Sequence, residues 1–164
     1  MSNYVAARSD SKVYDGTTSS SATPTISDGS LAAGDTACFV QSYDSANAGK
    51  RTLMPAGSIN DGNGGNNYSV TFVGIVGEIY RRAITVTAAS ATKVYDGTTS
   101  SSAVPTITGG SLAAGDTACF AESFDTAAFG GGKTLTPFGS VNDGNSGNNY
   151  AVTFEAASGE ISQG

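Results

Sequence analysis

Histidine and tryptophan are both absent from this 164-residue chain. Without an imidazole there is no Ser-His-Asp or Cys-His nucleophile, and zinc sites that need His are excluded with them. Basic residues are scarce too. Eight Lys and Arg against fourteen Asp and Glu leave a formal charge of −6. A phosphate-binding surface needs clustered cations, and beyond the pairs Lys50-Arg51 and Arg81-Arg82 they are spread out, so neither nucleic acid nor an anionic membrane surface is an expected partner. No apolar run approaches the roughly 18 to 20 residues that span a bilayer. No signal peptide opens the chain either, and Met1-Ser2-Asn3 reads as a start placed inside a longer protein.

What fills the chain is Gly, Ser, Thr, Asn and Ala, with Tyr, Phe, Val and Ile recurring throughout. That mixture suits short strands joined by polar turns and is poor material for long helices, which draw on Leu, Glu, Lys and Arg. The recurrent aromatic and β-branched residues separate it from a disordered tail.

The strongest signal is internal repetition. Lys12-Val13-Tyr14-Asp15-Gly16-Thr17-Thr18 returns as Lys93-Val94-Tyr95-Asp96-Gly97-Thr98-Thr99, and the stretch from Gly29 to Phe39 returns from Gly110 to Phe120. One extra residue in the Gly130-Gly131-Gly132 turn then shifts the offset. Beyond it, Asn60-Asp61-Gly62-Asn63 answers Asn142-Asp143-Gly144-Asn145, and Asn66-Asn67-Tyr68 answers Asn148-Asn149-Tyr150. Gly77-Glu78-Ile79 answers Gly159-Glu160-Ile161. The boundary falls near Arg82, giving two tandem domains, residues 1–82 and 83–164. The segment from Glu78 to Ala83 holds no Pro, Gly or Ser run, which favours a stiff joint over a floppy linker.

Period-2 patterning dominates each copy. Ala83-Ile84-Thr85-Val86-Thr87-Ala88 alternates and predicts the opening strand, with Tyr4-Val5-Ala6-Ala7 as its counterpart. Pro105-Thr106-Ile107-Thr108 predicts a short strand. Cys119–Phe124 and Lys133–Phe138 flank the glycine turn as a hairpin, and Tyr150–Phe154 with Gly159-Glu160-Ile161 closes the unit. Only Ser111-Leu112-Ala113-Ala114-Gly115-Asp116 suggests a helix, and the glycine limits it to one turn. The expected fold is mostly β, two tandem small domains with at most one short helical turn each.

Several residues are candidates for chemistry. In the Tyr-Asp-Gly motif the functional reading is a ligand-contacting Tyr and Asp. The structural reading, which is favoured, has a buried tyrosine (Tyr14, Tyr95), an aspartate (Asp15, Asp96) bonded to nearby amides, and a glycine (Gly16, Gly97) at positive φ. In the Asn60–Asn67 and Asn142–Asn149 loops, Asp61, Asn63, Asp143 and Asn145 could offer oxygens to Ca²⁺, but each loop has one carboxylate and lacks the terminal Glu of an EF-hand. Asn-Gly turns need no ion. Lys12 and Lys93 merit a check for covalent links to Asn67 and Asn149, with Glu78 and Glu160 as proton shuttles. Cys38 and Cys119 occupy matching places in separate domains, too far apart for a disulfide, and are expected to be buried free thiols. Two carboxylates could in principle cleave a glycoside, yet every prominent Asp lies beside Gly in a turn. No enzyme is expected.

Taken together, Lys-Val-Tyr-Asp-Gly-Thr-Thr, the Gly-x-Leu-x-x-Gly-Asp element, the later Gly-Lys-x-Leu strand and the closing Asn-Tyr resemble the YDG repeat. That repeat is related to the MBG ("mostly β-grasp") domains of large bacterial surface proteins and adhesins. The resemblance covers both copies, about Tyr4 to Ile79 and Ala83 to Ile161. It implies a β-grasp-like, tandemly repeated, secreted domain at the bacterial cell surface that serves as stalk or spacer, with neighbouring repeats as its first partners. The stretch from Val141 to Tyr150 is richer in Asn and Gly than the family's approach to the closing strand. A rival expectation is a weak binding module for glycan or for a host or matrix protein, with or without dependence on Ca²⁺, using Tyr43, Phe124 or Phe129 as stacking platforms. A third is a fibre component that self-associates through sheet edges.

Overall fold

The computed structural model describes residues 1–163 and divides into two compact units, Met1–Tyr80 and Arg81–Gly164. The first holds β1 (Ser2–Ala6), β2 (Ser11–Val13), β3 (Thr25–Asp28), β4 (Thr36–Tyr43), β5 (Gly49–Asn60), β6 (Ser69–Val73) and β7 (Ile75–Tyr80). The second repeats the series as β8 (Arg82–Thr87), β9 (Ala91–Val94), β10 (Thr106–Gly109), β11 (Thr117–Phe124), β12 (Gly130–Asn142), β13 (Tyr150–Glu155) and β14 (Ala157–Ser162). No helix occurs among the described residues. The mostly-β, tandem character read from the sequence therefore holds. The Ser-Leu-Ala-Ala-Gly-Asp segments form β-turns, in which Asp35 N–H donates to the Ala32 carbonyl at 3.1 Å and Asp116 N–H to Ala113 at 3.2 Å. Glycine at a φ of about +90° in each turn (Gly34, Gly115) stops a helix from growing there.

Each unit has two sheets, a three-stranded one in the order β3-β1-β6 and a four-stranded one in the order β2-β7-β5-β4; the second unit follows the same order. The first strand runs parallel to the sixth, with Ser2 opposite Ser69 and Ala6 opposite Val73. The second runs parallel to the seventh, with Ser11 opposite Glu78 and Val13 opposite Tyr80. The hairpin β4–β5 is antiparallel throughout, from Thr36 opposite Asn60 to Tyr43 opposite Leu53.

Strand alternation decides what the core receives. In the first unit Val5, Phe39 and Ile59 form a buried cluster, joined by Ile26, Leu31, Tyr68 and Val70, so the two sheets meet over it. In the second unit Ala88, Phe124, Leu135 and Ile161 pack together beside Ala91 and Ala157. Fully burying a side chain such as Leu53 or Leu135 stabilises by about 1.5–3 kcal/mol. The same alternation corrects the expectation for the cysteines. Phe39 and Phe120 turn toward the core, so Cys38 and Cys119, one residue earlier, point outward and are exposed free thiols. Opposite each phenylalanine lies a glycine, Gly57 or Gly139. Its φ is +123°, and a Cβ there would run into the carbonyl of Cys38 or Cys119. A glycine in mid-strand is thus required by close backbone approach.

The two units differ instructively at one core position. Asn3, on β1, is 1% exposed, and its Oδ1 finds no donor, while Nδ2 donates weakly to the Ser30 carbonyl at 3.3 Å. The matching residue of the second unit is Ile84, 2% exposed. An unsatisfied buried oxygen costs about 1–3 kcal/mol. Asn3→Ile should therefore raise the stability of the first unit by about 1 kcal/mol, seen as a later denaturant midpoint for that unit and an unmoved transition for the second. A lower midpoint would show that the Ser30 contact outweighs the orphaned oxygen.

Candidate functional site

The Lys-x-x-Asp-Gly-Thr-Thr-Ser stretch folds around its own lysine. Lys12 leaves the edge strand β2, and its Nζ donates to Asp15 Oδ1 at 2.9 Å, to the Thr17 carbonyl and Oγ1 at 3.0 Å each, and to the Ser19 carbonyl at 2.9 Å. Lys93 repeats this with Asp96 Oδ1 at 2.9 Å, the Thr98 carbonyl at 2.9 Å and Oγ1 at 3.1 Å, and the Ser100 carbonyl at 2.8 Å. Each ammonium also lies 5.3 Å from an aromatic centroid, Tyr43 in the first unit and Phe124 in the second. That distance falls within cation–π range. The sequence marked Lys, Tyr, Asp and Gly as the motif. It missed Thr17 and Ser19 as ligands, although the spacing of three, five and seven residues from Lys recurs in both copies.

The remaining motif residues hold the same loop. Asp15 Oδ1 also accepts from Thr17 N–H at 2.9 Å and Thr17 Oγ1 at 2.8 Å, and Asp96 does the same with Thr98. Gly16 and Gly97 take φ of +82° and +80°. The tyrosines diverge. Tyr14 is buried, whereas Tyr95 is 52% exposed, which corrects the expectation for the second copy; each follows the last residue of its edge strand, where the ladder no longer fixes which way the side chain turns. Its backbone still closes the ladder, donating to the Ser162 carbonyl at 2.8 Å, as Tyr14 donates to Tyr80. Past the motif the chain reaches the opposite edge of the sheet, where Tyr43 N–H donates to the Thr18 carbonyl at 2.8 Å and Ser19 bridges Ser42.

A second constellation joins the Gly-x-Leu-x-x-Gly-Asp turn to the Asn-rich loop. Tyr68 Oη donates to Asp35 Oδ2 at 2.5 Å and accepts from Ala32 N–H at 2.8 Å. Tyr150 does so with Asp116 at 2.6 Å and Ala113 at 2.9 Å. The aspartates and tyrosines were quoted from the sequence only as repeat markers, and their pairing across 33 and 34 residues has no local signature. In the loop itself, Asp61 accepts backbone N–H groups from Asn63 and Gly65 at 2.8 Å each and from Asn67 at 3.0 Å. Asn63 Nδ2 donates to Asn67 Oδ1 at 2.9 Å. Asp143 receives Asn145, Gly147 and Asn149 in the same way, and Asn145 Nδ2 donates to Asn149 Oδ1.

This geometry separates several expected sites. Lys12 Nζ is surrounded by its own loop while the Asn67 side chain is engaged by Asn63, and Lys93 and Asn149 are divided likewise. The side chains needed for a covalent lysine–asparagine link are therefore not brought together. Tyr43 and Phe124 are 2% and 3% exposed, because alternation turns them inward beneath the lysines, so they are not stacking platforms; Phe129 is exposed. Beside each Asn-rich loop lies an open groove, about 520 Å³ next to Cys38 and Asp61 and about 620 Å³ next to Cys119 and Asp143.

No group of three or more His, Cys, Asp or Glu lies together among the described residues. Both oxygens of Asp61 and of Asp143 face backbone amides, and a cation would compete with those amides for the same lone pairs. Desolvation works to raise the Asp143 pKa, but the Gly147, Asn145 and Asn149 amides outweigh it and hold the carboxyl below its ordinary range. Millimolar Ca²⁺ added to chelator-treated protein is expected to leave the melting temperature unchanged. A rise abolished by Asp61→Asn together with Asp143→Asn would place calcium in these loops.

The lysine site also sets a pH dependence. The Lys93 hydrogen bond, followed by those from Thr98, lowers the Asp96 pKa from 3.8 to about 2. A carboxyl depressed on folding adds stability that is present above its unfolded pKa and is lost as pH falls through the folded one. The second unit should thus lose this contribution between about pH 4 and pH 2. Asp96→Asn should flatten the acid limb of its stability curve over that window, and an unchanged limb would show that Asp96 does not contribute.

A family model for the YDG domain matches residues 2–73 and again residues 80–159. No curated protein and no solved structure matches the chain. The two matched segments cover nearly all of both units, and each includes one complete lysine-centred Tyr-Asp-Gly loop; the chain belongs to the YDG domain family.

Proposed function

We propose that this chain is a non-catalytic structural repeat, a spacer within an extended, secreted bacterial surface protein or adhesin. The observation that supports it is how the motif side chains are used. Lysine, aspartate and threonine of the Lys-x-x-Asp-Gly-Thr-Thr stretch bond to one another, and the tyrosine of the Asn-rich loop bonds to a turn of its own unit. Each unit thereby fixes its own turns, and the second does so with the same atoms. A repeat selected for length needs this internal self-sufficiency, since each added copy lengthens the protein by about one domain diameter. An active site duplicated with its turns would instead need a nucleophile with an acid or base free beside it. Cys38 and Cys119 are exposed thiols, but the aspartates lining the same grooves, Asp61 and Asp143, are engaged by backbone amides.

The second reading is a weak binding module for glycan or host protein, and the paired grooves together with exposed Phe129 favour it. A panel of glycans and matrix proteins separates the two. The spacer is expected to show no saturable binding. Saturable binding that Phe129→Ala abolishes would replace the spacer with the binding module.

A further inference from the structure

We propose that each unit is a shear clamp, built to resist a pulling force applied through its two ends. The inference rests on the spacer reading for its biological use but on strand topology for its physics. In each unit the strand nearest the N-terminus and the strand nearest the C-terminus are both interior strands. β1 lies between β3 and β6, and β7 lies between β2 and β5; β8 lies between β10 and β13, and β14 between β12 and β9.

Tension on a tandem chain draws β1 back toward its N-terminal end and β7 forward toward its C-terminal end. β6 is joined to β7 through Gly74 alone, so it is drawn forward with it, and β2 is held back with β1. Both pairs, β1 with β6 and β2 with β7, are parallel. Their strands are therefore pulled past each other along the ladder. Every rung carries load at once, and none can be peeled in turn. In the second unit six residue pairs, Tyr150 opposite Arg82 through Glu155 opposite Thr87, lie in the first ladder. Four more, Gly159 opposite Ala91 through Ser162 opposite Val94, lie in the second.

Further hydrogen bonds lengthen both ladders at their ends. Arg82 N–H donates to Asn149 at 2.9 Å, Ala88 N–H to Glu155 at 2.8 Å and Tyr95 N–H to Ser162 at 2.8 Å. The last of these places the Tyr-Asp-Gly motif at the end of the clamp, where the lysine-centred loop fixes the chain as it leaves β9. Slack is short as well. One residue separates β6 from β7, β13 from β14, and β7 from β8.

The hairpin β11–β12 supplies the control. It is antiparallel with Thr117 opposite Asn142 at its open end, so pulling those two residues apart opens the ladder one rung at a time. Forced unfolding is governed by the barrier along the pulled direction. The experiment is single-molecule force spectroscopy on the two-unit chain with Cys38→Ser and Cys119→Ser. Handles are placed at the termini or, in a second version, at Thr117→Cys and Asn142→Cys. Terminal pulling is expected to give two abrupt events, each releasing about one unit's contour at roughly 3.5 Å per residue. Their force should be several-fold above that of the hairpin geometry at equal loading rate. Equal forces in the two geometries, or gradual lengthening from the termini, would overturn the clamp. A high terminal force supports the clamp even if the binding panel rejects the spacer, and a low one rejects the clamp even if the panel finds no ligand.

Discussion

A lysine ammonium held inside a fold needs oxygen acceptors for its three protons, and the whole Tyr-Asp-Gly loop follows from meeting that need. Lys12 sits on a three-residue edge strand, and its side chain is only 17% exposed. Acceptors have to come from the chain that follows, so Asp15, Thr17 and Ser19 curl back around Nζ. The curl requires a positive φ at Gly16. It also carries the chain to the far edge of the sheet, where Thr18 and Ser19 meet Tyr43 and Ser42. One cation thus orders the loop, covers part of an otherwise open edge and places an aromatic ring beneath itself. A bound metal ion could organise a loop in a comparable way, but this cation is tethered to the chain it orders.

The strands were legible because their signal is local. Ile84 and Val86 alternate with threonines and are buried, and the runs flanking Gly130-Gly131-Gly132 do pair as the β11–β12 hairpin. The glycines themselves open β12, with a register shift against β14, and the turn is formed by the residues 125–129 before them. The Tyr-Asp-Gly motif stood out because it recurs, and its aspartate and glycine have local turn chemistry. What escaped the sequence is what the ladders bring together from a distance. Nothing near Tyr68 points to Asp35, since the contact exists only once β6 has returned beside β1. The cysteines show a different limit. A small apolar residue type suggests burial, but in a strand the neighbour's inward position decides, and Phe39 and Phe120 hold it. For the same reason Tyr43 and Phe124 read as available aromatics although alternation had turned them inward.

Comparing the two units shows which interactions the fold can exchange and which it keeps. Gln41 is buried on β4, accepting from Arg8 N–H and donating to the Arg8 carbonyl, each at 2.8 Å, so its amide imitates one rung of a ladder. Glu122 occupies that place in the second unit, accepting from Ala89 N–H at 2.8 Å and from Ser101 Oγ at 3.1 Å. Asn3 becomes Ile84, and Tyr43 becomes Phe124, with the core intact each time. The lysine-centred loop, the tyrosine–aspartate pair and the Asp-capped Asn loop are instead reproduced to within about 0.1 Å in their hydrogen bonds. Side-chain volume is therefore negotiable, whereas the turns that set where strands begin and end are not.

That ordering follows from topology. Both sheets of a unit need its last two strands, since β6 completes the sheet of β1 and β7 joins β2 to β5 in the other. Parallel pairing of strands more than sixty residues apart incurs loop-closure entropy before any contact rewards it. The turns between must be ordered well enough to deliver β6 and β7 in register, and a one-residue slip would send Val70 and Ile79 to the wrong faces. Strong turn chemistry and tolerant packing are the combination such a fold requires. Each sheet is drawn from one unit alone, so a unit completes its fold with its own last strands, unlike a solenoid repeat that relies on a neighbour to cover its core. Copies built this way can be added or lost from a long protein without exposing an unfinished sheet.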